Sequence, residues 1–385
     1  RAYGGLGLLS AMEGDVAQAR EYFVNALEGS GKVVELAPDG PEGLYSLSVA
    51  YCQLGDLSAM EGDVAQAKER YQKMRETLDK LVKQKPNDLE ALYNLSVANM
   101  GLASVSESEG DFSQAREYYE KTLETLNGVV EQRPDSRNPL RALCVCCANL
   151  GALLSEEGDY RQARALYEKE LEIRKKILAD APDNLEALSD LSSVYGRLAN
   201  LSIQEQNGKQ AQETYKKALE ILKKIVRRAP ENLQAQRELS FVYARLGFLS
   251  ETKGNAKQAR TYYIKALEIR KGLVEHNPND VEALRALSDS YGRLGDVAKE
   301  EGNYQQAEEY YAKALEGYAK TLETTPGDSV AMHDISLTYR ILGDILNTQG
   351  KHKEAREYYA KAREMIASSS ANFGLWKRIK ELFEN

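Results

Sequence analysis

At 385 residues the chain exceeds one ordinary domain and divides, as compact units go, into two or three of about 100–200 residues each. Hydrophobic residues make up 42% and charged residues 29%, which excludes a disordered chain, and nine Pro exclude a Pro-rich linker. A net charge of −8 disfavours a nucleic-acid partner, and the sequence is read as lacking the run of about 20 apolar residues that a membrane span requires.

The chain begins at Arg1 and not Met, the start expected of a processed chain or of a piece of a longer one. No basic-then-apolar leader is visible, and no compartment is specified; a soluble, cytoplasmic chain is the default, and a secreted one follows if the start reflects processing. Cys52, Cys144, Cys146 and Cys147 lack the spacing of a disulfide framework. Cys144 and Cys147 lie one helical turn apart without a second Cys or His pair, so small apolar fillers are expected and not a metal site.

Internal repetition dominates everything that follows. Pro38, Pro86, Pro134, Pro182, Pro230, Pro278 and Pro326 are each 48 residues apart. Ala19, Ala67, Ala115, Ala163, Ala211, Ala259, Ala307 and Ala355 keep the same step, as do Phe23, Tyr71, Tyr119, Tyr167, Tyr215, Tyr263, Tyr311 and Tyr359. Leu9–Ala19 and Leu57–Ala67 are identical, the mark of a recent duplication. An array of this kind is read as stacked supersecondary units.

In chain order, each unit predicts a helix A, a turn, and a helix B, each helix about 20 residues and near 30 Å long. The predicted bounds are an incomplete leading repeat at 1–39 and repeats at 40–87, 88–135, 136–183, 184–231, 232–279, 280–327 and 328–370, with a C-terminal amphipathic helix in 371–385. Helix A ends at Glu-Gly-Asp turns such as Glu109-Gly110-Asp111, where Gly suits the left-handed position. The next Asp or Asn caps helix B, with Gln three residues on: Asp15/Gln18, Asp63/Gln66, Asp111/Gln114, Asp159/Gln162, Asn207/Gln210, Asn255/Gln258 and Asn303/Gln306. In the fifth unit the Gly is displaced to Gly208, so a locally different turn is expected there. The recurring Pro sets the second turn, and Asp88, Ser136, Asn184, Asn232, Asp280 and Asp328 are the expected caps beyond it; Gly40 followed by Pro41 serves the first.

In the seventh unit Tyr291, Leu294, Gly295, Ala298, Gly302, Ala307, Tyr311 and Ala314 resemble the tetratricopeptide repeat. The likeness covers residues 1 to about 366 and recurs eight times in register. The family unit has 34 residues, so this one is 14 longer and its Pro falls about seven residues late, which reads as extra helical turns on both helices. The resemblance implies an all-α, right-handed superhelical solenoid with helix A on the concave wall, and a role in binding proteins. Small residues such as Gly295, Ala307 and Ala314 allow close helix approach, with Tyr311 and Leu294 filling the space beside them. Asn99, Cys147, Met74, Thr122 and Glu170 weaken the pattern in units two to four, where looser packing is expected.

One face of helix A holds Phe241, Ala244, Phe248 and Glu251 in the sixth unit, and Ser193, Gly196, Asn200 and Ile203 in the fifth; Asp289, Gly292, Asp296 and Lys299 follow in the seventh. Phe241, Phe248 and Ile203 are candidate anchors for a partner helix or peptide, the alternative being that both Phe pack between helices. Arg197, Arg245 and Arg293 form a ladder that suits the carboxylates of an acidic peptide, with Arg340 one position early; the alternative is pairing with local Asp and Glu. No P-loop is present, Gly5-Leu6-Gly7 lacks a third Gly, and His276, His333 and His352 sit in unrelated places, so no catalytic, cofactor or metal site is expected.

Leu375, Trp376, Ile379 and Phe383 lie in a short amphipathic stretch read either as a cap on the last unit or as a self-association element. Residue 385 is eight steps of 48 beyond residue 1, a phase that permits head-to-tail stacking into filaments or tubes. The expected function is a non-enzymatic scaffold that holds a protein or peptide partner, or further copies of itself, in its grooves. The alternatives are a self-assembling filament and the sensor array of a longer, multidomain protein.

Overall fold

A computed structural model describes residues 2–369, and among them the chain is all helical, with sixteen helices. In the order of the chain they are α1 (Ala2–Met12), α2 (Val16–Leu36), α3 (Pro41–Met60), α4 (Val64–Gln84), α5 (Leu89–Ser108), α6 (Phe112–Gln132), α7 (Arg137–Glu156) and α8 (Tyr160–Asp180). There follow α9 (Leu185–Gln204), α10 (Gly208–Arg228), α11 (Leu233–Glu251), α12 (Ala256–His276), α13 (Val281–Glu300), α14 (Tyr304–Thr324), α15 (Ser329–Thr348) and α16 (His352–Ser369). The chain forms two compact bodies, Arg1–Asp180 and Ala181–Asn385. Within each body every helix packs on the next, giving an all-α solenoid of helical hairpins; odd-numbered helices are of type A and even-numbered of type B.

The turn chemistry explains where each helix starts and stops. Asp15, Asp63, Asp111, Asp159, Asn207, Asn255 and Asn303 each accept the backbone N–H of the Gln three residues on, at 2.9–3.3 Å. Past the second turn Asp88, Asn184, Asn232, Asp280 and Asp328 cap helix A in the same way, from 2.9 to 3.2 Å. Ser136 departs from expectation, since its hydroxyl makes no capping bond.

The fifth unit corrects another expectation. Its turn is the same as the others, with Gln206 at φ +61° where the other units place a glycine at +72° to +85°. The backbone bonds match as well: Asn207 N–H donates to Ser202 O at 2.8 Å, as Asp159 N–H does to Leu154 O. The cap geometry therefore prevails over the residue, and Gln206 bears the left-handed strain that a Cβ imposes.

The hairpins close around one recurring contact. A Cβ placed on Gly55, Gly247, Gly295 or Gly343 would stand 2.5–2.8 Å from the ring of Tyr71, Tyr263, Tyr311 or Tyr359. Ala103 and Ala199 hold the register-equivalent positions in two other units, so a methyl is the largest group seen there. Tyr71 is gripped from both sides, because a Cβ at Gly101 of the following helix A would meet it at 2.7 Å. Beside the rings, Ala67, Ala115, Ala211, Ala259 and Ala307 are fully buried.

The positions that weaken the repeat are buried too, Asn99 at 6% and Glu170 at 0% exposure among them. Glu170 is held by Arg174 at 3.4 Å. Cys144, Cys146 and Cys147 are buried in α7, where Cys146 Sγ donates to Tyr119 O at 3.3 Å. Among the described residues α7 is long and apolar enough to cross a membrane by length and composition, although Arg141 and Asn149 interrupt its apolar run. Its apolar stretch is 61% buried within the body, and α7 packs against α6 and α8.

Two stability outcomes follow. Gln206→Gly relieves the left-handed strain and is expected to stabilise by about 1 kcal/mol, read as a raised urea midpoint; a lowered midpoint would contradict the conformation. Ala307→Leu overfills the α13–α14 contact and is expected to destabilise by about 1–3 kcal/mol, whereas the same change at exposed Ala360 should be near neutral.

Candidate functional site

In the second body the face of α9, α11 and α13 away from their B helices is open. Phe241 is 40% exposed there and Phe248 is half-buried, so neither is a core residue. The cations of the ladder rest on these rings. The Arg245 guanidinium lies 4.8 Å from the Phe241 centroid, one helical turn away on α11. Arg293 of α13 lies 5.9 Å from the Phe248 centroid, with the Asp296 carboxylate at 3.9 Å. Such stacking orients the flat guanidinium and leaves its edge for an acceptor.

Next to Phe241 the face dips into a depression of about 650 Å³, lined by Ser193, Arg197, Asn200, Glu238 and Phe241 among others. Glu238 is half-buried and accepts from Gln234 Nε2 at 3.2 Å and Ser192 Oγ at 3.4 Å. Desolvation pushes its carboxyl above the usual range, with Asp190 adding repulsion. Arg237 is committed elsewhere, bonded to Asp280 at the start of α13. Arg270 reaches from α12 between α11 and α13. It is 8% exposed, with Nη1 donating to Ala286 O at 2.7 Å and to Ser290 Oγ at 2.8 Å. Burial lowers its pKa, and the nearby Asp289 carboxylate opposes that shift.

Several residues assigned to the face by spacing are already engaged. Asn200 accepts the Tyr215 hydroxyl at 2.5 Å and Asp296 that of Tyr311 at 2.7 Å. Asp56 and Asp344 do the same for Tyr71 and Tyr359 at 2.6 and 2.7 Å. Phe248 stands at this position in the sixth unit and has no acceptor, so Tyr263 turns to Glu251 at 2.5 Å instead. The structure thus leaves Phe241 exposed, while Asn200 and Asp296 belong to a row that serves the fold. Ile203 is half-buried near the end of α9. Leu375, Trp376, Ile379 and Phe383 lie outside the described residues.

Spacing also missed exposed apolar residues on other A helices. Val49 and Val145 stand at the register of Phe241, 45% and 44% exposed, and Leu337 joins them at 37%. The signal was present, since all four share one phase of the 48-residue step. In the first body the ladder positions hold Gln53, Gly101 and Asn149, so the arginine row of the second body is not continued there. A depression of about 610 Å³ there is lined by Leu8, Val33, Val49 and Gln53 among others. Among the described residues no group of three or more His, Cys, Asp or Glu is placed to hold a metal ion.

Family profiles described as tetratricopeptide repeats match residues 143–183, 192–224, 242–272 and 289–368. No curated protein matches significantly. Among solved structures, the apo form of RapI is 14% identical, with a TM-score of 0.57 over 95% of this chain and 97% of its own. BtubC (BKLC) from P. vanneervenii is 23% identical, with a TM-score of 0.50 over 66% of this chain and 91% of its own. At these identities the likeness is one of fold. With the eightfold phase, the capped hairpins and the tyrosine contacts, these matches show that the chain carries tetratricopeptide repeats, in a form whose unit is 48 residues long.

Proposed function

We propose that the chain is a non-enzymatic interaction scaffold that holds a peptide or helical segment of a protein partner on the open face of α9, α11 and α13. The observation that carries this reading is Phe241, a large aromatic left exposed beside a depression and roofed by an arginine. An isolated exposed apolar residue needs no explanation, but an aromatic anchor flanked by oriented cations is the composition of an interface hot spot. The complementary partner carries an apolar side chain for Phe241 and acidic groups for Arg197, Arg245 and Arg293. Phe248 and Ile203 border the same face and extend its apolar strip.

A displayed peptide library selected on the wild-type chain tests the reading. Enriched sequences are expected to combine an apolar residue with Asp or Glu, and Phe241→Ser is expected to weaken them at least tenfold while helical content is unchanged. Peptides that bind Phe241→Ser and Arg245→Ala as well as wild type would overturn it.

The desolvated Glu238 gives a pH outcome. A carboxyl whose pKa is raised on folding costs stability above its unfolded value of about 4.3, and that cost fades as pH falls toward it. Glu238→Gln is therefore expected to raise the unfolding midpoint at pH 7, with the gain vanishing below about pH 4.

A further inference from the structure

The spaces between successive A helices of the second body are not closed alike. Arg270 of α12 reaches between α11 and α13, where Nε donates to Ser240 Oγ at 3.3 Å and Nη1 to Ala286 O at 2.7 Å and Ser290 Oγ at 2.8 Å. One step of 48 later, Tyr318 of α14 donates to Asp289 Oδ1 at 2.6 Å and packs in one cluster with Ile335 of α15. One step earlier the same register position is Leu222 of α10, buried and too short to cross. The depression beside Phe241 opens there, lined by Leu222, Ser192, Glu238 and Val242 among others. Ser192, Glu238 and Val242 are the register equivalents of Ser240, Ala286 and Ser290, the three residues that hold the Arg270 guanidinium. The place that a guanidinium fills between α11 and α13 is thus open between α9 and α11, with a carboxylate added to its wall.

We infer that this depression receives an arginine side chain of the partner segment, its guanidinium set against Glu238. This deepens the function proposed above and rests on the partner lying on that face. The two oxygens of Glu238 each accept one long bond, from Gln234 at 3.2 Å and Ser192 at 3.4 Å, which leaves acceptor positions for a forked donor. The cations of the lining do not contest that end. Arg237 is bonded to Asp280 and stands 3.9 Å from Glu282. Arg197 follows Asp190, the register equivalent of Glu238, by seven residues, which is about 10 Å of helix. The partner is thereby given a polarity, with its arginine toward Glu238, an apolar side chain over Phe241, and acid toward Arg197 and Arg245. Desolvation and the Asp190 charge disfavour the Glu238 carboxylate in the free chain, and an incoming guanidinium offsets both.

The displayed library selected on the wild-type chain is expected to enrich arginine at a fixed spacing from the apolar residue. Glu238→Gln, expected to stabilise the free chain, should weaken those peptides at least tenfold and leave their arginine-to-alanine versions unchanged. Leu222→Arg, which repeats the reach of Arg270, should do the same. Peptides that depend on Phe241 but carry no arginine would overturn the inference and leave the proposed function standing, as would arginine peptides that bind Glu238→Gln as well as wild type. A second measurement needs no peptide: the urea midpoint of Leu222→Arg, with and without Glu238→Gln. The fall in midpoint caused by Leu222→Arg is expected to be larger in the Glu238→Gln background, because the carboxylate is what receives the guanidinium. Peptides indifferent to Phe241→Ser would sink the proposed function alone; equal falls in midpoint would overturn the inference whatever the library yields.

Discussion

Everything in this chain hangs on one close contact, the ring of a helix B tyrosine laid against a residue of helix A that has no side chain or only a methyl. Gly295 under Tyr311 and Gly247 under Tyr263 show it most directly. The contact sets how near the two helices come, and the fully buried Ala259 and Ala307 give the same close approach beside it, one in each hairpin. Each ring carries a hydroxyl that also needs a partner, and helix A supplies one fifteen residues earlier or nearby, as with Asp296 for Tyr311. Burial and the neighbouring carboxylate raise the tyrosine pKa, so the phenol stays the donor of this bond. Packing and polar satisfaction are thereby met by the same side chain.

That economy explains what was legible in the sequence. Helix ends could be read because capping is local: the Asp or Asn and the Gln three residues on lie within one turn of each other. The hairpin and its stacking could be read because Tyr, Gly and Ala recur in phase. The open face was harder, because a 48-residue step says which positions are equivalent and not which of them a neighbour covers. Phe241 and Val145 share a phase and are both exposed, yet one was noticed for its size and the other passed over. Asp296 and Asn200 looked free and are bound by tyrosines, since that bond joins two helices and leaves no trace in local spacing. Gln206 shows the converse: a strained residue tolerated where the caps on either side fix the turn.

The two bodies carry one scaffold and two surface chemistries. The register position that holds Gln53, Gly101 and Asn149 in the first holds Arg197, Arg245 and Arg293 in the second. Two of the first body's residues at this position serve the tyrosines: a Cβ at Gly101 would meet the Tyr71 ring at 2.7 Å, and Asn149 Nδ2 donates to the Tyr119 hydroxyl at 3.3 Å. In the second body the same positions carry arginine, and there Arg245 stacks on Phe241 and Arg293 on Phe248. A buried cation at Arg270, held by two serines and a carbonyl oxygen, adds positive potential beneath the same face.

The seams between successive hairpins carry a polarity of their own. Arg20 meets Glu61, Lys68 meets Glu109, Arg116 meets Glu157 and Arg260 meets Glu301, always 41 residues on. At two other joints the sense is relaxed or inverted: Gln212 accepts from Lys253, and Glu308 accepts from Gln349. Each such pair is exposed and individually weak. Together they make the order of the hairpins matter for gene recombination. A tandem copy of the segment bearing both Glu301 and Glu308 would set acid against acid across the new joint, whereas a copy of the one bearing Glu61 and Lys68 would restore an attractive pair, so the array can lengthen at some joints more readily than at others.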